Sequence, residues 1–278
     1  MDTKPITTRK IIKINKSKVN QVSDFLAIED PLEISISIPS ALPAILNKNI
    51  SITMRTPNND ANLAIGFLFT EGIISTATAV EKIKQSENKI TIFLENDNNI
   101  DLSTLDRNFY TSSSCGVCGK ASIDSIKTVC KIDAKKVEFK IDSSLIKGLP
   151  DKLRKEQEVF ESTGGLHAAA LFSLEGSLLI LKEDVGRHNA LDKLIGHSLM
   201  QNAMPLSNHL LLLSGRASFE LIQKAAMAGI QFIMAVGAPS SLAVELAVEF
   251  DITLIGFLTK DKFNIYCGEK RIENLNFE

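Results

Sequence analysis

From about residue 165 onward, short apolar runs alternate with stretches of helical length, and this alternation limits what the chain can become. The runs cover 168–174, 177–182, 210–214, 231–236 and 252–257, and the helical stretches cover 185–200, 218–228 and 241–250. A strand that is apolar at nearly every position has both faces buried. Such strands, joined by helices, point to a parallel sheet with a helical layer on each side. The expectation is an α/β layer fold for the C-terminal half. The first two runs flank Glu175-Gly176 and read as a hairpin.

The upstream part has a different grain. Leu32, Ile34, Ile36 and Ile38 alternate with polar residues, as do Ile50, Ile52 and Met54, and each set fits a half-buried strand. Pro57-Asn58-Asn59-Asp60 supplies a turn and an N-cap. The helix that follows carries Leu63, Ile65, Phe67 and Leu68 and stops at Glu71-Gly72. Residues 89–94 form a further strand. Residues 106–120 are polar and glycine-bearing, which predicts a long mobile loop of functional use. Helices are expected over 122–130 and 145–161, with an extended piece at 137–141. The division is therefore a small mixed module over 1–105, a loop over 106–121 and an α/β domain over 122–278.

Composition narrows the partners. The 278 residues carry 31 basic and 33 acidic side chains, a net charge of −2. A protein that neutralises many phosphates of DNA or RNA shows a basic stripe, and none is present. The pure apolar runs, such as 168–172 and 210–213, are far too short to span a membrane. The first sixteen residues, MDTKPITTRKIIKINK, lack the apolar core of a signal peptide. The expectation is a cytoplasmic protein with no nucleic-acid or membrane partner, and with its four cysteines reduced.

In an open parallel sheet, ligands sit beyond the carboxyl ends of the strands. The run 210–213 leads into Ser214-Gly215-Arg216-Ala217-Ser218, the next into Gly237-Ala238-Pro239-Ser240-Ser241, and the last into Leu258-Thr259-Lys260-Asp261-Lys262. Any one of these turns is what a tight strand-to-helix connection requires. Three on one edge, with hydroxyls, helix starts and cations, suit an anion such as a phosphate. His167, behind Gly164-Gly165, and Arg187-His188, behind Gly186, join the candidates. Asp192 lies four residues beyond His188 and could orient its ring. His197 and His209 have no such context and are read as structural.

The remaining feature is Cys115-Gly116-Val117-Cys118; Cys130 and Cys267 stand alone and are read as structural. A zinc site needs about four ligands, and no second Cys-x-x-Cys or spaced histidine pair follows. A thioredoxin-like pair opens a helix after a strand, whereas this pair follows Thr111-Ser112-Ser113-Ser114. Zinc deaminases place His-x-Glu ahead of Pro-Cys-x-x-Cys, and neither element is present. A third use is a sulfur-carrying thiolate. Gly116 and Gly119 give it reach, Lys120 and a nearby helix start favour the charged form, and the second thiol can accept or resolve the sulfur. Two structural cysteines would sit among apolar neighbours, which these lack.

Several longer motifs then coincide. Ser114-Cys115-Gly-Val-Cys118-Gly119, Thr163-Gly164-Gly165-x-His167-Ala-Ala-Ala170, Glu183-Asp184-Val-Gly-Arg187-His188-Asn189-Ala-x-Asp192-Lys193 and Ser214-Gly-Arg216-Ala-Ser218-Phe-Glu220 resemble the FdhD family of formate dehydrogenase accessory sulfurtransferases. The segment Ala64-Ile-Gly66-Phe67-Leu68-x-x-Glu71-Gly72-Ile73-Ile74 fits as well, so the resemblance runs from about Asn59 to Tyr266.

The resemblance implies a cytoplasmic homodimer whose C-terminal three-layer α/β/α domain has a cytidine deaminase-like fold. It implies a sulfur carrier that takes sulfane sulfur from a cysteine desulfurase. The recipient is the molybdenum cofactor, in its bis(molybdopterin guanine dinucleotide) form, before that cofactor enters formate dehydrogenase. Cys115 would bear the persulfide with Cys118 as its helper, and no metal would be held. The loop Phe257, Leu258, Thr259, Lys260, Asp261 and Lys262 matches the family's cofactor segment, joined by His167, Arg187, His188, Ser214 and Arg216. Thr259 departs from relatives that place a basic residue there; Lys260 and Lys262 supply point charges in place of a bidentate fork. A rival from another class is a non-catalytic nucleotide- or cofactor-binding chaperone whose cysteines hold zinc across a dimer. A hydrolase using His167 or His188 finds no nucleophile at matching spacing.

Overall fold

The computed structural model describes residues 5–38, 46–95 and 137–275. The loop expected over 106–121 with Cys115 and Cys118, and the helix expected over 122–130 with Cys130, lie outside the described residues. The chain opens with a hairpin, β1 (Ile6–Asn15) and β2 (Lys18–Ala27). Then come β3 (Asp30–Ile38), β4 (Leu46–Arg55), α1 (Asp60–Thr70), β5 (Val80–Ser86) and β6 (Lys89–Leu94). These four strands form a sheet in the order β4-β3-β6-β5.

The strand over 46–55 was expected to bury Ile50, Ile52 and Met54 on one face. Ile50 packs against the core, but Ile52 is 66% and Met54 47% exposed. The register explains it. Ile34 pairs with Ser51 and Ser35 with Asn49, so Ile50 is a bulged residue and the alternation changes phase there.

The second part begins with a short β7 (Ile141–Asp142), then α2 (Ser143–Glu156) and α3 (Glu158–Thr163). One helix was expected over 145–161. It breaks at buried Gln157 because the Glu183 carboxylate accepts hydrogen bonds from Val159 N and Phe160 N, at 3.3 and 3.1 Å, and starts a new helix. There follow β8 (His167–Phe172), β9 (Leu178–Asp184), α4 (Arg187–Met200), β10 (Leu210–Leu213), α5 (Phe219–Met227), β11 (Phe232–Ala235), α6 (Ser241–Glu249), β12 (Thr253–Gly256) and β13 (Asn264–Cys267).

The six-stranded sheet has the order β13-β12-β11-β10-β8-β9. Its central strands β10, β11 and β12 are parallel, as expected, and β8, β9 and β13 run antiparallel to their neighbours. Both faces are covered. Leu210 and Leu212 join Phe232, Met234 and Ile255 in a cluster with Ile146, Leu149 and Leu153 of α2. Leu211 and Leu213 join Ile233, Ala235 and Leu254 in a cluster that takes in α4, α5 and α6. That second cluster continues through α1 to Leu32, Ile34, Ile36, Ile90 and Ile92 of the four-stranded sheet. The fold is mixed α/β, and one continuous core spans both sheets.

The join is a close crossing of α1 and α4. A Cβ on Gly66 would fall 1.9 Å from the Asp192 carbonyl oxygen, and one on Gly196 would fall 1.9 Å from that of Asn62. The helices meet backbone to backbone. Beside the crossing, buried Asp192 accepts hydrogen bonds from Thr70 Oγ1 and Lys224 Nζ, at 2.9 and 3.0 Å, tying α1, α4 and α5 together. No helix among the described residues is long and apolar enough to cross a membrane.

Candidate functional site

The three turns expected to share one sheet edge do so, and backbone hydrogen bonds lace them side by side. Gly237 N donates to Gly215 O at 2.9 Å, Phe257 N to Gly237 O at 3.1 Å, and Leu258 N to Ala235 O at 3.1 Å. Ala217 N donates to Ala238 O, and Ser240 N back to Ala217 O. Gly237 has no room for a side chain, since a Cβ there would lie 2.9 Å from the Arg216 backbone. Because β8 runs antiparallel to β10, its first residue, His167, arrives at this same edge. Ser214 Oγ accepts from Ala168 N at 2.7 Å, and a Cβ on Gly215 would lie 3.1 Å from His167 Nδ1, so the ring rests over that turn.

Arg187 and His188 open α4 beside them. Their position is set by Asp184, which is fully buried at the end of β9. One carboxylate oxygen accepts from Gly186 N at 2.8 Å and Asn189 Nδ2 at 3.1 Å; the other accepts from Thr56 N at 3.2 Å. Lys193 Nζ, 2.6 Å from that second oxygen, also donates to Thr56 O at 2.8 Å. The start of α4 is thereby fastened to the end of β4. In the sequence, Asp184 and Lys193 stand inside a longer motif, with only local spacing to mark their task. An acid two residues ahead of a helix-opening glycine was the available signal.

The spacing suggested that Asp192 orients His188, but that carboxylate is occupied by Thr70 and Lys224. His188 Nε2 lies instead 3.3 Å from Ser218 Oγ and 3.9 Å from Glu220 Oε2. Burial, then the charges of Arg187 and Lys224, hold the His188 ring down at about 4, against the pull of Glu220. Burial and Arg187 lower His167 as well, with Asp184 opposing. Both rings are therefore neutral at neutral pH, and the positive charge here is guanidinium. Arg187 Nε is buried and has no hydrogen-bond partner among the described residues, while Arg216 is exposed. A buried unpaired donor is a group that a ligand oxygen would satisfy.

The depressed His188 value gives a pH dependence whose sign is fixed. The folded ring titrates near 4 and the unfolded one near 6.5, so the unfolded chain binds the extra proton between these limits. Stability from a neutral His188 is complete above about pH 6.5 and is lost as pH falls toward 4. Melting temperature measured across that window should fall less steeply for His188→Gln than for the parent; identical slopes would refute the assignment.

The loop from Phe257 extends the edge past β12. Phe257 itself is 44% exposed, Leu258 is buried in the α2-side cluster, and Lys260, Asp261 and Lys262 are exposed. Thr259 Oγ1 accepts from Asp261 N and Lys262 N, at 3.3 and 3.1 Å, and Thr259 N donates to Lys262 O. Thr259 thus builds the turn that presents the two lysines. Cys267 is half-buried, with its thiol donating to Ile252 O at 3.2 Å. Among the described residues no cluster of three or more His, Cys, Asp or Glu side chains is placed to hold a metal ion.

Known proteins resemble this chain over most of its length. Residues 28–273 match the FdhD/NarQ family. A protein of Streptomyces avermitilis named sulfur carrier protein FdhD is 46% identical over 275 residues, 95% of this chain and 94% of that one. Proteins of the same name from Picrophilus torridus and Saccharolobus solfataricus are 43% and 40% identical, over 90% and 94% of this chain and 93% and 96% of their own lengths. A crystal structure from Desulfotalea psychrophila, described as a putative formate dehydrogenase accessory protein, superposes with a TM-score of 0.73. It covers 96% of this chain and 99% of its own, and at 23% identity it speaks for the fold alone. With the family match spanning both sheets and the laced edge, this chain belongs to the FdhD/NarQ family.

Proposed function

We propose that this protein is a cytoplasmic sulfur carrier acting as a homodimer, and that its sheet edge receives the molybdenum cofactor destined for formate dehydrogenase. The Cys115 thiolate attacks the outer sulfur of a persulfide on a cysteine desulfurase. The donor's S–S bond breaks as a new one forms on Cys115, and the donor leaves as a thiolate. Attack by Cys118 on Cys115 Sγ then releases the outer sulfur as sulfide for the cofactor. The two thiols supply the electrons and end as a disulfide. The observation that carries the cofactor half of this reading is the orphaned Arg187 Nε beside two neutral rings and Arg216 on one laced edge. Guanidinium groups with hydroxyls from Ser214, Ser218 and Ser240 suit the diphosphates of a bis(molybdopterin guanine dinucleotide).

The two halves separate by mutation. In cells that lack their own copy of the gene, Arg187→Ala should take up sulfur normally yet support formate dehydrogenase activity at least ~10-fold more weakly than wild type, the loss expected for one charge-assisted contact. Full activity with Arg187→Ala would refute the cofactor half, and failure to load sulfur would show that Arg187 serves the cysteines instead.

A further inference from the structure

The β1–β2 hairpin stands apart from the six- and four-stranded sheets. Among the described residues its strands pair only with each other, as a sheet of two. Ile28 N donates to Pro5 O at 2.9 Å and closes the base, and α3 lies against β2. Each strand nevertheless runs for ten residues. A lone two-stranded ribbon is marginal in water, and a third strand is what makes such a sheet firm.

The register sorts the side chains. Ile12 and Ile14 of β1 share one face with Val19 and Phe25 of β2, and all four are exposed. The opposite face carries Arg9, Lys13 and Lys18, with Asp24 across from Arg9. With Lys10 and Lys16 the ribbon holds five basic side chains against one acidic, in a chain whose net charge is −2. The β1 strand itself has three cations and no acid.

The backbone of β1 is free on its outer side. Lys16 and Ser17 form a two-residue loop, so Asn15 and Lys18 close the ladder as a hydrogen-bonded pair. Pairs alternate from there, and Lys10, Ile12 and Ile14 turn their N–H and C=O groups away from β2. Unpaired groups on an exposed apolar strand are a template for another strand. Like charges repel a second copy of this ribbon, so the strand that fits it is of opposite sign.

We infer that the hairpin is a docking ribbon for a protein partner, which adds an extended acidic segment along β1 as a third strand. Main-chain hydrogen bonds to Lys10, Ile12 and Ile14 hold the segment. Its acids meet Arg9 and Lys13 on one face, and its alternate apolar side chains extend the patch of Ile12, Ile14 and Val19 on the other. The cofactor reading leaves this surface unused.

The probe is a labelled peptide of alternating Glu and Val, about as long as the ten residues of β1, titrated into the full-length protein and followed by anisotropy. It should bind, and more weakly as salt is added, while the Lys-Val counterpart should not bind. Arg9→Glu combined with Lys13→Glu should weaken binding at least ~5-fold, because two attractive cross-strand pairs become repulsive. Ile12→Pro should abolish it by removing an outward N–H that the ladder to β2 does not use. Melting curves of both variants should match wild type; if Ile12→Pro unfolds the ribbon, the charge variant alone decides. Failure of wild type to bind the peptide, or undiminished binding by the charge variant, overturns the inference. Wild-type dimers that fall to monomers in the charge variant, seen by sedimentation, would put a second copy on the ribbon and overturn it as well. None of these results bears on the Arg187→Ala test.

Discussion

Gly66→Ala should destabilise the protein by at least about 3 kcal/mol and lower its melting temperature by on the order of 10 °C, although alanine is the better helix former. A methyl on Gly66 would sit 1.9 Å from the Asp192 carbonyl oxygen and 2.9 Å from Gly196 N, both backbone atoms. No rotamer change relieves such a contact; α1 and α4 would have to part. Parting them strains the hydrogen bonds from Thr70 and Lys224 to Asp192, so a fully buried carboxylate would lose partners as well. A built-in control exists in α2, where Gly148 has nothing within 4 Å of its missing Cβ. Gly148→Ala should stabilise by roughly 0.5–1 kcal/mol. Thermal melts of the two variants side by side test the crossing; equal and opposite signs are not required, but equal signs would refute it.

The crossing also explains why helix geometry far from the sheet edge bears on the site. Arg187 and His188 begin the same helix that Gly196 presses onto α1. Their start is fixed at Asp184 and Lys193, and the helix body at Gly66 and Gly196. A helix pinned at two places can hold Arg187 Nε away from acceptors among the described residues, which a looser helix would not do.

Much of this was legible in the residues themselves. The strands at 210–213, 232–235 and 253–256 announce themselves because burial on both faces demands unbroken apolar runs. That His167, Arg187, Ser214 and Arg216 gather on one edge is legible for a related reason: each lies at or just beyond a strand end, and topology carries those ends together. The hairpin β1–β2 was not. Lys10, Lys13, Lys16 and Lys18 break its apolar pattern, and Ile12 and Ile14 are 70% exposed, so no burial pattern marks it. The β5 strand is hidden in the same way by Glu81, Lys82 and Lys84 on exposed positions. The phase change at Ile50, the break at Gln157 and the Asp184–Lys193 pair all depend on partners distant in sequence: β3, Glu183 and Thr56. Periodicity within a segment cannot register any of them. The motif resemblance reached further than periodicity did, because it carries tertiary information already tested in other chains.

The largest effect is expected at the cysteines. A thiolate that can be charged with sulfane sulfur needs exposure, a lowered pKa and freedom to meet two partners. Cys115, between Ser114 and Gly116 and five residues from Lys120, has the sequence context for it, and Cys118 supplies the second thiol. Cys267 has the opposite context, since burial raises its thiol pKa and the thiol donates a hydrogen bond to Ile252 O. Sulfur should therefore load on the pair and not on Cys267. The direct measurement is the intact mass of the protein after incubation with a cysteine desulfurase and free cysteine. Wild type should gain the mass of one sulfur atom, reversibly with a reducing thiol, and the variant with both Cys115 and Cys118 replaced by serine should gain none. No gain on wild type, or an undiminished gain on the double variant, would contradict the account.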